Sequence, residues 1–168
     1  MKIPVFVSSP TALTTKQENA RKRIVNELKN LGFEPRALGR SDYPSDYPLK
    51  EVLVIAKHCA GGVILGFEQF RTETGFWKHG TPKQKEQTSE TQFPTPWNNL
   101  EAGVLFALKK PLLVFKEQSI SGGIFDNGVS DVFIHQMPVG TQTKNQQQAL
   151  RATFLNWQRK VRAHYYDD

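Results

Sequence analysis

The chain is poor in several features, and each absence narrows what it can be. Cys59 is the single cysteine among 168 residues, which excludes an internal disulfide. That thiol falls at the end of an apolar helical pattern, where an inert core thiol is expected rather than a nucleophile. No apolar run approaches the roughly 20 residues that span a bilayer, so no membrane partner is expected. The short apolar run of Met1-Lys-Ile-Pro-Val-Phe-Val lacks the length and the small-residue cleavage site of a secretory signal, and a cytoplasmic location is the expectation. His58, His79, His135 and His164 show no His-x-x-x-His or Cys–His spacing, so no metal site is expected. No glycine fingerprint of the dinucleotide or P-loop type follows the first strand pattern, and no cofactor is expected. Internal repeats and low-complexity tracts are absent as well.

What is present suits one soluble globular domain over residues 1–168, with 38% hydrophobic and 23% charged residues and a length sufficient for a core. The net charge of +6 raises the question of nucleic acid. The cations are scattered, however, with Lys16, Arg21, Lys22, Arg23 and Lys29 on one helical pattern and Arg151, Arg159, Lys160 and Arg162 on another. There is no aromatic-interleaved basic stripe and no helix-turn-helix signature. Solvated helix faces account for most of the charge, nucleic acid is not the expected partner, and attraction of an anionic small ligand fits equally.

Along the chain, apolar strand patterns alternate with helical ones. Ile3 to Ser8 reads as a strand closed by the loop signal Ser8-Ser9-Pro10. Thr14 or Thr15 caps a helix carrying Ala20, Ile24, Val25, Leu28 and Leu31, which Gly32 stops. A second strand is expected from Phe33 to Leu38, a helix from about Leu49 to Cys59, and a buried strand from Gly61 to Phe67. Residues 68–94 form a long polar insertion low in periodicity, unusual unless functional or mobile. A helix capped by Thr95 then runs to Lys109-Lys110. A strand at Pro111 to Lys116, a Gly-rich loop from Gln118 to Asp131, a short strand at Val132 to Ile134 and a last helix from Lys144 to His164 complete the pattern. Uniformly apolar strands alternating with helices predict an α/β fold: a doubly wound, mostly parallel five-stranded sheet with helices on both faces, flavodoxin- or Rossmann-like.

Glu101 breaks this regular pattern. At about 100° per residue, Trp97, Leu100, Val104, Leu105 and Leu108 share one apolar arc of their helix, and Glu101 lies within that arc. A carboxylate on a buried face is costly unless paired or placed in a cleft. It is therefore either a structural group satisfied by an Arg or by backbone N–H groups, or part of a site.

In a parallel sheet, ligands sit at the carboxyl ends of the strands. Those ends here offer Ser8, Ser9 and Pro10, the loop bearing Asp42, Phe67, Glu68 and Arg71, and the chain from Lys116 onward. Ser8 and Ser9 suit a phosphate or sugar hydroxyl, or simply make a strand-to-helix turn. Phe76 and Trp77, with His79 nearby, suit either a lid stacking on a base or a solvated excursion. Trp97, Asn98 and Asn99 occupy the first turn of the Glu101 helix, where ligand hydroxyls or open solvent would face them.

The chain resembles the nucleoside 2-deoxyribosyltransferase-like superfamily and, beyond it, the TIR-like nicotinamide-nucleotide hydrolases. The resemblance rests on Val5-Phe-Val-Ser-Ser-Pro10, on Gly62-Val-Ile-Leu-Gly66, and on Leu100-Glu101-Ala102-Gly103 with the later Lys-Pro-apolar strand around Pro111. It implies that Glu101 acts at the anomeric carbon of a ribose or deoxyribose, as nucleophile or as stabiliser of an oxocarbenium-like centre. The implied substrate is a nucleoside, a nucleotide or a nicotinamide dinucleotide, cleaved or transferred at its N-glycosidic bond, with Ser8, Ser9 and Asn98 orienting it and Trp77 against the base. The family's Asp-bearing turn after the third strand is replaced here by Phe67-Glu68-Gln69-Phe70, which leaves Asp42 or Asp46 as the acids offered to a ligand. A homo-oligomer is expected, since related folds complete their pocket from a neighbouring subunit and Phe106 lies opposite the apolar arc. The alternatives are a catalytically silent nucleotide-sensing module, a TIR-like hydrolase or cyclase of a signalling pathway, and a structural or nucleic-acid-associated domain.

Overall fold

The structure is a computed structural model that describes residues 2–43 and 45–167. Strand β1 (Ile3–Ser8) leads through helix α1 (Thr15–Asn30) to β2 (Phe33–Arg36), and helix α2 (Pro48–His58) returns to β3 (Gly62–Gly66). The chain between β3 and helix α3 (Pro96–Ala107) carries four short strands, β4 (Phe70–Thr72), β5 (Gly75–Trp77), β6 (Lys85–Gln87) and β7 (Thr91–Phe93). Then follow β8 (Leu112–Lys116), a 3₁₀ turn at Gly123–Phe125, β9 (Ile134–Gln136) and helix α4 (Lys144–Asp167).

The central sheet has the order β2-β1-β3-β8-β9 with every neighbouring pair parallel. The expected doubly wound α/β fold is observed, and the sheet is parallel throughout. The chain winds outward from β1 to β2, then crosses back to β3 on the other side. The switch in winding direction therefore falls between β1 and β3, where the crevice of such sheets opens at the carboxyl ends.

Side-chain alternation along the strands sorts the core into two layers. Ile3, Val5 and Val7, then Val63, Leu65 and Phe67, then Leu113 and Phe115 join Ile24 and Leu28 of α1 and Phe154, Trp157 and Val161 of α4. Phe6, Ile64 and Val114 face the other way, against Val52, Ile55 and Ala56 of α2 and Ala102 and Leu105 of α3. Continuing that period of two, Ser8 follows Phe6 and Lys116 follows Val114 onto the α2–α3 side.

Local signals explain most boundaries. The Thr14 side chain accepts from the Gln17 N–H and the Gln17 side chain accepts from the Thr14 N–H, a reciprocal cap on α1. Gly32, at φ 85°, ends that helix in the left-handed region. Four differences from the expected elements stand out. β2 stops at Arg36 instead of Leu38, because the Ala37 carbonyl turns the chain by accepting from the Arg40, Ser41 and Asp42 N–H groups. β9 lies at Ile134–Gln136, shifted by two residues and sharing only Ile134 with the apolar run expected to form it. α4 continues past His164 to Asp167. The segment 68–94, read as a loop, holds two antiparallel pairs, β4 with β7 and β5 with β6. Three-residue strands with solvent on both sides have no apolar alternation to reveal them.

Candidate functional site

Glu101 is buried, at 8% exposure, on the inner face of α3. Thr95 caps this helix by accepting from the Trp97 N–H, and Pro96 occupies its first turn. The buried positions are Asn98, Glu101, Ala102 and Leu105, a helical period of three and four. The apolar arc anticipated for α3 is rotated: Trp97 and Leu100 are both 42% exposed. The cause lies in the sheet. A Cβ on Gly62 would stand 2.5 Å from Leu105 Cδ1, so the missing side chain in β3 is what seats Leu105 and fixes the phase of α3.

That phase sets Asn98 and Glu101 over the carboxyl end of β1. Asn98 Nδ2 donates to Ser8 Oγ at 2.7 Å, both groups being buried. Asn98 Oδ1 is also buried and has no partner. Turning the amide over would orphan the other end instead, so one polar atom of Asn98 awaits a partner in either orientation. An unpaired buried polar atom costs roughly 1–3 kcal/mol, and a ligand group that meets it removes that cost.

Burial pushes the Glu101 carboxyl up from 4.5 to about 7, and the nearby Ser8 hydroxyl, which favours the charged form, offsets only part of the rise. No neighbouring charge enters the balance. The outcome is a carboxyl group near the midpoint of its titration at neutral pH, in the position where it can accept a hydrogen bond, carry a proton or attack an electrophile.

The loops around this point are pinned by Gln17, Lys116 and Glu117, to which sequence reasoning gave no role, and by Asn99, which it offered to ligand hydroxyls or solvent. The Glu117 carboxylate, just past β8, accepts from the Glu68 N–H at 2.7 Å and from Gln17 Nε2 at 3.1 Å, tying the end of β3 to the first turn of α1. Lys116 Nζ donates to the carbonyls of Ile120 and Phe125, each at 3.0 Å, and shapes the loop after β8. Asn99 Oδ1 accepts from the Ile124 N–H at 2.9 Å. A Cβ on Gly66 would stand 2.5 Å from the Phe125 ring, which closes over the end of β3. The position of Lys116 and Glu117 at a strand's carboxyl end was the only signal available for them.

The structure brings Ser8, Asn98 and Glu101 together and leaves most of the other candidates apart. Ser9 Oγ donates to the Pro10 carbonyl at 3.3 Å, a turn contact beside the buried Pro10. Phe67 lies in the α1–α4 core, on the opposite face of the sheet from Glu101. Asp42 is engaged by Arg36, and Asp46 by Lys50 on the surface. The guanidinium holds the Asp42 carboxyl below its usual range, chiefly by hydrogen bonding. Glu68 pairs with Arg71 at 2.7 Å, and Arg71 with Glu90 at 3.0 Å. Trp77 is exposed on β5, its Nε1 donating to Gln87 Oε1 at 2.8 Å and its ring edge-on to Phe93. Cys59 is buried, its thiol pushed up to about 12 by desolvation.

Two cavities lie elsewhere. One of about 290 Å³ runs along the outer side of α3, and one of about 750 Å³ opens at the amino ends of β8 and β9; Glu101 lines neither. Among the described residues, no group of three His, Cys, Asp or Glu is placed to hold a metal ion, and no helix is long and apolar enough to cross a membrane. Compared with protein-family models, with curated proteins and with solved structures, the chain matches none of them.

Proposed function

We propose that the protein cleaves or transfers the N-glycosidic bond of a nucleoside or nucleotide, with Glu101 acting at the anomeric carbon. The observation that carries this reading is the desolvated Glu101 carboxyl at the β1–β3 switch, beside the Ser8 hydroxyl and an amide with one unpaired end. A carboxylate that burial has raised in energy gains by losing its charge. That happens when it bonds to the anomeric carbon or stands against a developing oxocarbenium ion. The Glu101 oxygen attacks the anomeric carbon as the C–N bond breaks, and the electron pair departs on the base. Water or a second base then displaces the carboxylate, either one giving up its proton to solvent, and Glu101 is restored. Sugar hydroxyls would satisfy the free end of Asn98 and share the Ser8 oxygen.

The leaving group follows from what acts on Glu101, which among the described residues is burial and the Ser8 hydroxyl and no second carboxyl group. Asp42 is held by Arg36, Glu68 by Arg71, and Glu117 by Gln17 and the Glu68 amide, so these carboxylates have partners of their own. A purine or pyrimidine leaves as an anion and calls for an acid, whereas a pyridinium base leaves neutral. Nicotinamide dinucleotides therefore stand first among the substrates. That no second acid acts on Glu101 among the described residues also favours a second reading, a catalytically silent nucleotide-sensing module in which Glu101 accepts from a ribose hydroxyl. Self-association belongs to the proposal too, along the outer side of α3.

A chromatographic screen for released base, over nicotinamide dinucleotides, nucleosides, deoxynucleosides and their monophosphates, tests the reading. Wild type is expected to release base and Glu101→Gln to lose at least about 100-fold of that rate. Equal release by the variant overturns the mechanism, and binding without release by wild type moves the assignment to the silent module.

A further inference from the structure

The cleft of about 750 Å³ at the amino ends of β8 and β9 lies between the end of α3 and the face of α4, at the opposite end of the strands from Glu101. Its volume falls within the range of roughly 300–1,000 Å³ that holds small ligands. Three cations, Lys109, Lys110 and Lys160, line it against one carboxylate, Asp131. Among the described residues none of the three lysines is in an ion pair with a carboxylate. Lys110 Nζ instead donates to His164 Nε2 at 3.1 Å. The exposed Phe133 ring supplies an aromatic wall, whereas Trp157, only 3% exposed and edge-on to Phe33, lines the cleft from the core. The Trp157 nitrogen is already spent on the Pro111 carbonyl at 3.1 Å, and the Phe133 ring is 74% exposed.

A second, independent feature marks Lys109. α3 ends with the Lys109 N–H donating to the Phe106 carbonyl at 2.9 Å and the Lys110 N–H to the Leu105 carbonyl at 3.0 Å. This closing pair places the residue after the C-cap in the left-handed region, where glycine is the usual occupant. α1 has Gly32 there, at φ 85°; α3 has Lys109, at φ 55°. The helix thus carries a strained backbone at a position where glycine would remove the strain, and the side chain so retained lines the cleft.

We propose that this cleft is a second ligand site, separate from the Glu101 crevice, that binds a nucleoside phosphate. The lysines meet the phosphates as point charges and the exposed Phe133 ring meets the base. The site does not depend on the glycosidic reading.

Calorimetric titration of the full chain with ATP, and with inorganic tripolyphosphate, tests it in wild type, Lys109→Gly, Lys160→Ala and Glu101→Gln. ATP is expected to bind wild type and Glu101→Gln equally at this site. Lys109→Gly and Lys160→Ala should each weaken it at least tenfold, with affinity falling as salt rises. Lys109→Gly should at the same time raise Tm, because it relieves the strained cap, so lost binding there cannot reflect lost folding. The proposal is overturned by no ATP binding at millimolar concentration, by binding indifferent to both lysine variants, or by binding that Glu101→Gln abolishes. Tripolyphosphate binding as tightly as ATP overturns the assignment of a base to the aromatic wall.

Discussion

At the scale of the residue, Glu101 ties function to stability through one number. Its carboxyl titrates at about 7 in the folded chain against 4.5 for the unperturbed group. The fold prefers the protonated acid, so its contribution to stability is full below about pH 4.5 and is lost as pH rises through about 7. A shift of that size corresponds to about 3 kcal/mol between the two protonation states. Glu101→Gln keeps the shape and removes the titration. The variant is therefore expected to unfold like wild type at pH 4 and to be more stable than wild type by up to about 3 kcal/mol at pH 8, measured by urea denaturation at both pH values. Equal stability at pH 8 would mean that the carboxylate is well solvated or well paired in the native protein. A site group whose removal stabilises the fold is the pattern expected where activity rests on a strained environment.

At the scale of the element, Gln17 joins two tasks that the pattern of α1 alone presents as one. Its Oε1 completes the helix cap with Thr14, and its Nε2 reaches Glu117, which in turn holds the Glu68 N–H. Loss of a cap alone costs roughly 1 kcal/mol. Gln17→Ala is expected to cost about 2 kcal/mol in denaturant unfolding, since a part-buried hydrogen bond to a charged group goes with the cap. It should also speed hydrogen exchange at the Glu68 amide, whereas Thr14→Ala should lower stability by about 1 kcal/mol and leave that amide protected. Exchange at Glu68 that is indifferent to Gln17→Ala would separate the cap from the crevice. The excursion between β3 and α3 is held at its base in a similar way. The Gln69 N–H donates to the Phe93 carbonyl at 2.9 Å, and Gln92 bridges to Ile120 beyond β8.

At the scale of the whole molecule, the sheet shields most apolar surface between its two helical layers, yet some stays uncovered. Phe106 on α3 is 57% exposed, and Val129 is exposed with it beside the smaller cavity. The proposed self-association would cover this surface with a second copy packed across a two-fold axis. Sedimentation at micromolar concentration should give a dimer or larger species for wild type and a monomer for Phe106→Asp. A monomeric wild type removes self-association from the proposal and leaves the Glu101 chemistry to be judged on its own.

The sequence by itself determined most elements of the fold and offered Ser8, Asn98 and Glu101 as site residues without joining them. Continuous apolar runs set the three central strands β1, β3 and β8 as buried and parallel, Thr14, Gly32, Thr95 and Pro96 marked helix ends, and Glu101 stood out as a carboxylate on a buried face. Such signals are complete within a helical turn or a few strand residues. Only the tertiary structure decided the phase of α3, which depends on Leu105 settling over Gly62. It alone joined Asn98 to Ser8 across 90 residues and Gln17 to Glu117 across 100. It also placed Phe67 on the face away from Glu101, and gathered Lys109, Lys110 and Lys160 around one cleft. These relations depend on which strands lie side by side and in what register. A crossover brings together residues that no short window of the chain contains, and their pairing is settled by packing.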